Sequence, residues 1–325
     1  MKTRAQIRML EDGRRLHLHD GPIDLIVEAF GATDEINAAY NAAALRFVNV
    51  LDELCSELTF LRQAAERDSP LPSGVIAKRM AAAVAPYGER TFITPMAAVA
   101  GAVAEEILGS MTDTAMLSRA YVNNGGDIAL HLAPGEHFVA GMVERPDRPS
   151  LFGTATLDSA QPVRGIATSG WRGRSFSLGI ADAVTVLADS AAMADAAATI
   201  IANAVNLPGH PNIVRASACS LVPDSDLGDR MVTQHIGDLS PVEIAAALDA
   251  GVAVAHSLLA ERLIRAAALR LRRETRVVGL EQFSTFPQPE NLQLANLQPA
   301  NLQPEYLQPE YLQQGGAALQ RCIRI

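Results

Sequence analysis

The sequence predicts an α+β fold in which antiparallel hairpins pack with apolar helices, and three observations carry that expectation. Residues 15–19 alternate polar and apolar, Asp20-Gly21 is a turn pair, and 23–30 resumes as an apolar run, the pattern of a β-hairpin. Apolar residues recur at helical spacing over 34–63, and a run of very small residues at 96–104 reads as a further helix. Residues 183–188, Ala-Val-Thr-Val-Leu-Ala, read as a buried strand that passes into a helix starting near Asp189 or Ser190, either of which can cap its free N–H groups.

Composition bounds the function. The chain has 325 residues, 49% of them hydrophobic, enough for one large domain or two small ones. A net charge of -9 argues against nucleic acid or an anionic membrane as partner, while leaving room for an anionic ligand held by backbone N–H groups and a metal. Cys55, Cys219 and Cys322 are widely spaced, without a C-x-x-C pair, which fits a reducing compartment. The first twenty residues carry charges throughout and no apolar core of a signal peptide, and the run 96–104 stops at Glu105-Glu106, too short to span a bilayer. A soluble cytoplasmic protein is expected.

Taken in order, the hairpin at 15–30 hands over through Gly31 to the helix 34–63, with Leu45, Val48, Leu51, Leu58 and Leu61 on its apolar side and Cys55 in its core pattern. Residues 67–73 form a loop from which Ser73 can cap a second helix, 74–85. Thr94-Pro95 opens the small-residue helix, whose composition fits either close approach of another backbone or a ligand, or tight packing of the helix on a sheet. Residues 119–131 read as a strand interrupted by Gly125-Gly126, with 137–143 returning as its partner. Thr168-Ser169-Gly170 reads as a small-residue turn ahead of the strand 183–188. The three aspartates of 223–230 lack the Glu an EF-hand needs at its twelfth position and read as a polar turn before a strand at 231–233. Ser240-Pro241-Val242-Glu243 is a capping box for a helix to about 263, and 268–278 reads as a closing strand, with continuation of the helix as the alternative.

From about residue 282 the material changes. Leu292, Leu297, Leu302, Leu307 and Leu312 recur every five residues, a pattern that resembles pentapeptide repeats, but too few units occur to bury a core and Pro299, Pro304 and Pro309 interrupt them. The expected organisation is therefore a domain over 1–280 and a disordered low-complexity tail over 281–325.

The chemistry centres on the helix after Ser190, where Asp195 and Thr199 stand four residues apart and face the same way in otherwise apolar company. Two readings stay open. Asp195 either takes the favourable field near the helix start or faces water, or it joins Thr199 in a hard-cation site that suits Mg²⁺. No nucleophile elbow, phosphate loop or H-x-x-x-H pair occurs.

Three segments in order, AAVAGAVAEE at 97–106, NNGGDI at 123–128, and ATSG at 167–170 with VTVLADSAAMADAAAT at 184–199, resemble the ApbE family of FAD:protein FMN transferases, once known as thiamine biosynthesis lipoproteins. The stretches NLPGHPNIVRA and PDSDLGDR are similar to those of an uncharacterised cytosolic branch of that superfamily. The resemblance spans roughly 15–275 and implies an ApbE-like, T-fold-related architecture of antiparallel sheets and packed helices. It implies a Mg²⁺-dependent FAD site, with Asp195, Thr199 and the Ala100 carbonyl as metal ligands. Asn124, Gly125, Gly126, Asp127, Thr168, Ser169 and Gly170 would line the nucleotide pocket. It also implies a possible protein acceptor for the flavin. The family has Lys-Gly where this chain has Gly101-Ala102, and a His-x-x-Asp-Pro segment where this chain has residues 177–182 without His. The expectation is a Mg²⁺-dependent flavin- or nucleotide-binding protein with weak or absent FMN transfer; the alternative is a non-flavin accessory protein in cytosolic sulfur or cofactor metabolism, in which Cys219 matters.

Overall fold

The computed structural model describes residues 4–66, 71–143, 151–279 and 283–285. Its centre is a nine-stranded sheet. Strands β1 (Gln6–Met9), β2 (Leu16–Asp20) and β3 (Ile23–Phe30) form a meander; the hairpin expected at Asp20-Gly21 forms, with Asp20 as the last residue of β2 and Gly21-Pro22 as the turn. Helices α1 (Thr33–Phe47), α2 (Val50–Ser56), α3 (Leu58–Leu61) and α4 (Val75–Val84) follow, then a 3₁₀ turn (Pro95–Ala98) leading into α5 (Val99–Thr112). Next come β4 (Arg119–Asn124), β5 (Asp127–Leu132), β6 (His137–Val143), β7 (Leu151–Asp158), β8 (Gly165–Ser169), β9 (Ala183–Ala188) and α6 (Ala191–Ala204). The chain continues through β10 (Ile213–Ser217), α7 (Ala218–Leu221), β11 (Met231–Ile236), α8 (Pro241–Ala260), β12 (Ala266–Leu271), β13 (Glu274–Val278) and β14 (Phe283–Thr285).

The large sheet runs β1-β2-β3-β4-β5-β8-β9-β12-β13, and every neighbouring pair is antiparallel. Leu25, Val27, Val122, Ala129, Ala167, Val184, Val186 and Leu269 line one face and pack against the helices. Alternate residues, among them Leu130, Leu132, Ile166 and Leu187, line the other face against Ala155 and Leu157 of the small sheet β14-β7-β6. Strand β9 is covered on both sides, so all six of its residues are buried and its sequence is a continuous apolar run rather than an alternating one.

Several expectations change in the fold. The helix 34–63 is three helices: the chain breaks at Val48-Asn49, which brings Phe47, Val50 and Leu51 into the core and leaves Leu45 77% exposed. Ser73 does not cap α4; the Glu57 carboxylate accepts the Ser73 and Gly74 N–H groups at 2.7 and 2.6 Å and does that work from α2's far end. The run 119–131 is a hairpin, β4–β5, with the glycine pair as its two-residue turn, and β6 pairs with β7 in the small sheet rather than with β5. Residues 268–278 are likewise part of a hairpin, β12–β13, whose turn residues Arg272 and Arg273 both have positive φ (50° and 72°). Two non-glycine residues in that region give no turn signal in the sequence; tertiary bonds hold them, from Arg272 N–H to Asp182 (2.6 Å) and from its guanidinium to the Ile236 and Gly237 carbonyls. The segment expected to be tail begins with β14, which pairs with β7; residues 286–325, with the five-residue repeats, lie outside the described residues. Helix α8 is the one helix among the described residues long and apolar enough to cross a membrane, and it lays Ile244, Ala247, Leu248, Gly251, Ala255 and Leu258 against the core.

The tightest packing is where α5 crosses α6. A Cβ on Gly101 would lie 2.3 Å from the Ala191 carbonyl oxygen, a contact with backbone that cannot rotate away. Each helix also caps the other. Helix α5 starts at Ala98, which has no capping side chain; the Asp195 carboxylate of α6 accepts the Ala100 and Gly101 N–H groups, the latter at 3.0 Å. Helix α6 has Ser190 for Met193 N–H and receives Glu105 of α5 on Ala192 N–H at 2.7 Å. Gly109, on the same α5, has nothing within 4 Å of its missing Cβ.

The two glycines should therefore respond oppositely to alanine. Gly109→Ala should stabilise by roughly 0.4–1 kcal/mol through helix propensity and lost unfolded-state freedom. Gly101→Ala should destabilise by ~1–3 kcal/mol, the cost of overpacking. Thermal melts of the two variants check this; a Gly101→Ala protein that melts with wild type would mean the crossing is looser than described.

Candidate functional site

The residues marked out in the sequence come from five elements, α5, β4, β5, β8 and α6, and the fold brings most of them to one end of the large sheet on its helix-covered face. Asn124 and Asp127 flank the β4–β5 turn, in register with each other. They share the face of Val122 and Ala129, which pack against helices, because side chains two apart on a strand point the same way. Ser169 ends β8 on that same face, two residues from Ala167. Gly125 and Gly126 form the turn with φ of +66° and +115°, the backbone that a two-residue hairpin of right-handed twist requires.

Side chains then tie this sheet end to the helix crossing. Asn124 donates through Nδ2 to the Ala100 carbonyl at 3.2 Å. Asp195, one turn into α6, holds the Ala100 and Gly101 N–H groups as described. The β5–β8 ladder ends at Ile128↔Ile166, and beyond it the Thr168 N–H donates to Asp127 Oδ1 at 3.2 Å instead of to backbone. The Thr168 hydroxyl lies on the opposite face with Thr185, 2.9 Å away, so Thr168 contributes its backbone and not its side chain. Ser169 and Thr199 are half-buried, and among the described residues neither hydroxyl has a hydrogen-bond partner. Gly170 is buried against the 181–182 backbone, 2.5 Å from the Asp182 carbonyl at its missing Cβ, and so it positions the loop rather than facing a pocket.

The electrostatics are unusual for a resting structure. Asp127 and Asp195 are half-buried carboxylates that feel one another. Burial pushes Asp127 up to about 7, opposed by the Thr168 N–H and the charge of Arg174. Burial and then the Asp127 charge hold Asp195 well above the usual carboxylate range, opposed by the two N–H groups at the α5 start. Of the two readings of Asp195, the fold realises the first in altered form: the carboxylate serves a helix N-terminus, but that of α5 rather than its own. The same placement leaves the second reading intact, since Asp195, Asp127, the Thr199 hydroxyl and the Ala100 carbonyl are all hard oxygen donors. Among the described residues no cluster of three or more His, Cys, Asp or Glu forms, so protein carboxylates alone do not complete a shell.

Sequence reasoning missed the arginine of the site. Arg174 follows β8 in the loop GWRGR, and its guanidinium lies across Gly125, where a Cβ would be 1.7 Å from Nη2. The only sequence signal was two arginines spaced by glycine in an otherwise apolar segment. Asp182, the carboxylate nearest in sequence to the family's missing His-x-x-Asp-Pro, is buried and taken up by Trp171 Nε1 (3.1 Å), Arg172 and the Arg272 N–H. Cys219 lies apart, on α7, with its thiol donating to Asp229.

With the geometry described, comparison with known proteins gives a consistent result. The family described as "AbpE bacteria" matches residues 7–277. A UPF0280 protein of Methanococcoides burtonii is 40% identical over 143 residues, 43% of this chain and 56% of its own length. One of Methanopyrus kandleri is 40% identical over 129 residues (39% and 48%), and one of Methanosphaerula palustris 37% identical over 160 (46% and 60%). The matched stretch spans about half the length of these relatives. The resemblance found in the sequence motifs is thus borne out.

Two outcomes follow from the carboxylate pair in metal-free buffer. Asp195→Asn keeps an acceptor for the α5 N–H groups and removes a repulsive charge, so it should melt at or above wild type. Asp195→Ala loses the cap, a loss of about 1 kcal/mol, and should melt lower. Thermal denaturation separates them, and equal melting of both variants would deny the cap. Asp127, at about 7 in the fold against an ordinary 3.8, ionises less readily folded than unfolded. Its contribution to stability is whole below about pH 3.8 and is lost as pH rises through about 7. The melting temperature should therefore decline from pH 5 to 8, less so in Asp127→Asn; a pH profile unmoved by that substitution would exonerate Asp127.

Proposed function

We propose, from the premise that this chain belongs to the AbpE family of bacteria, that it binds a flavin or related nucleotide together with Mg²⁺ and transfers FMN weakly or not at all. The observation that carries this reading is the pair of half-buried carboxylates, Asp127 and Asp195, close enough for their charges to act on one another, together with Ser169 and Thr199 hydroxyls that have no hydrogen bond among the described residues. Two such carboxylates are costly to keep ionised side by side, and a hard divalent cation removes that cost. The donor set fits: Asp195, Thr199 and the Ala100 carbonyl would hold the ion, with Asp127 close enough to be felt electrostatically. A bound cation would supply charge neutralisation for a pyrophosphate. The glycine turn at 125–126 and the Thr168–Gly170 strand end would admit the nucleotide close to backbone. The T-fold-like character of the architecture and a cytoplasmic setting belong to the same reading, the latter in keeping with three widely spaced cysteines.

Transfer asks for more than binding. It needs an acceptor hydroxyl deprotonated and held in line, and the family's Lys and His-x-x-Asp-Pro residues are absent here. Asp182 does not replace them, since its oxygens already accept from Trp171 and the Arg272 N–H. Losing a positioned acid–base group typically lowers a rate ~10²–10⁴-fold. Ser169 and Thr199 can orient a ligand oxygen or water, and the carboxylates of the site, Asp127 and Asp195, are the ones this reading assigns to the cation rather than to an acceptor hydroxyl.

The test is to incubate the protein with FAD, Mg²⁺ and an acceptor peptide of the FMN-transferase type, and to follow bound flavin, released AMP and covalent flavin separately. Micromolar, Mg²⁺-dependent binding with negligible covalent flavin is expected. Rapid flavinylation, or no flavin binding at all, would refute it.

A further inference from the structure

We infer that Arg174 is the phosphate-recognition residue of this site: its guanidinium, laid across the Gly125 turn, receives a phosphoryl group that arrives bound to the divalent cation. The inference rests on the nucleotide reading above and goes beyond it by naming the residue and the ligand group. Arg174 differs from the other well-placed arginines. Arg46, Arg79, Arg172, Arg215 and Arg265 each hold a carboxylate, a carbonyl or a side-chain amide. Arg174 has no hydrogen bond or ion pair among the described residues, although it is close enough to Asp127 and Asp24 for its charge to act on both. Its donors are thus open, in the planar fork that suits a phosphate.

The guanidinium is nevertheless held in place. A Cβ at position 125 would overlap Nη2 and come within 2.6 Å of Cζ, so the bare turn backbone is the surface on which the group rests. The loop that carries it is tied down by Trp171 N–H to the Ala181 carbonyl and Gly173 N–H to the Gly170 carbonyl, both 3.0 Å, and by Trp171 Nε1 to Asp182. Prior ordering lowers the entropic cost of gripping a ligand. The charges then alternate: the exposed Arg174 guanidinium is close enough to act on Asp127, and Asp127 on Asp195. A bare anion would be repelled by Asp127 and Asp195; an anion carrying a divalent cation meets an opposite charge at both places. Phosphoryl binding should therefore need the cation.

Titration calorimetry with Mn²⁺ alone, and with inorganic pyrophosphate at saturating Mn²⁺, tests this on the wild-type protein, Arg174→Ala and Arg174→Lys. Arg174 is exposed, so the variants should fold, which their melting curves verify. The expected result is Mn²⁺ affinity within about twofold of wild type in Arg174→Ala, with pyrophosphate weakened by roughly 10- to 100-fold, the range for a lost hydrogen bond to a charged group. Arg174→Lys should recover part of that loss. Unchanged pyrophosphate affinity in Arg174→Ala would overturn the inference, and so would an equal loss of Mn²⁺ affinity. If wild type takes up Mn²⁺ but no pyrophosphate, the inference fails while the cation reading stands. Pyrophosphate binding by wild type that is as tight without Mn²⁺ as with it would also overturn the inference, because the phosphoryl group is expected only with the cation.

Discussion

The structure depends on the crossing of α5 and α6. The two helices approach until the α5 backbone at Gly101 touches the α6 backbone at Ala191, a separation only glycine permits. At that distance each helix can reach the other's start, and each does: Asp195 serves the first turn of α5 and Glu105 serves that of α6. A helix N-terminus has N–H groups with no partner inside the helix, so a buried start without a cap is costly. Here neither start is satisfied wholly by its own segment, and the two helices are stable at this spot only together. Arg79, bound to Glu105 and Glu106, extends the arrangement to α4 through the carboxylate that caps α6.

The candidate site is a consequence of that crossing. Because the α5 start must face Asp195, the Ala100 carbonyl is left beside the end of β4, where Asn124 donates to it. The ladder between β5 and β8 stops after two register pairs, and Asp127 is drawn to the freed Thr168 N–H. Two carboxylates therefore stand together for reasons that begin as structure: one caps a helix and the other closes a ladder. Their mutual repulsion is what remains unsatisfied, and it is what the proposed cation would relieve. Asp195 thus has two duties that one substitution can separate, since an amide retains the cap but not the charge.

Covering the sheet on both faces gives the site its rigidity. The helices fill one face and the small sheet the other, so β9 has no solvent side and its neighbour β8 presents Ser169 on a fixed backbone. The loop beyond β8 then has few ways to go. Gly170 packs on residues 181 and 182, the buried Asp182 gathers Trp171 and the β12–β13 turn, and Arg174 emerges over the glycine turn of β4–β5. Asp182, the carboxylate of the segment that stands where the family has His-x-x-Asp-Pro, is the anchor of this loop.

The sequence by itself determined the elements whose signals are local. The Asp20-Gly21 hairpin, the Ser190 cap, the Ser240 capping box and the apolar β9 are each specified by residues adjacent in the chain, and each formed as expected. It also determined the family, because the motifs at 97–106, 123–128 and 167–199 keep their order. Tertiary structure alone decided what depends on partners distant in sequence. Glu57 caps α4 from sixteen residues away, β6 leaves β5 for β7, and the arginine pair at 272–273 turns left-handed because Asp182 and the Ile236 carbonyl hold it there. The same division runs through the site. The spacing of Asp195 and Thr199 was legible because a helix repeats every 3.6 residues. The approach of Asp127 to Asp195 and of Arg174 to Gly125 was not, because both are contacts between segments tens of residues apart, made only once α5 and α6 have closed on the sheet.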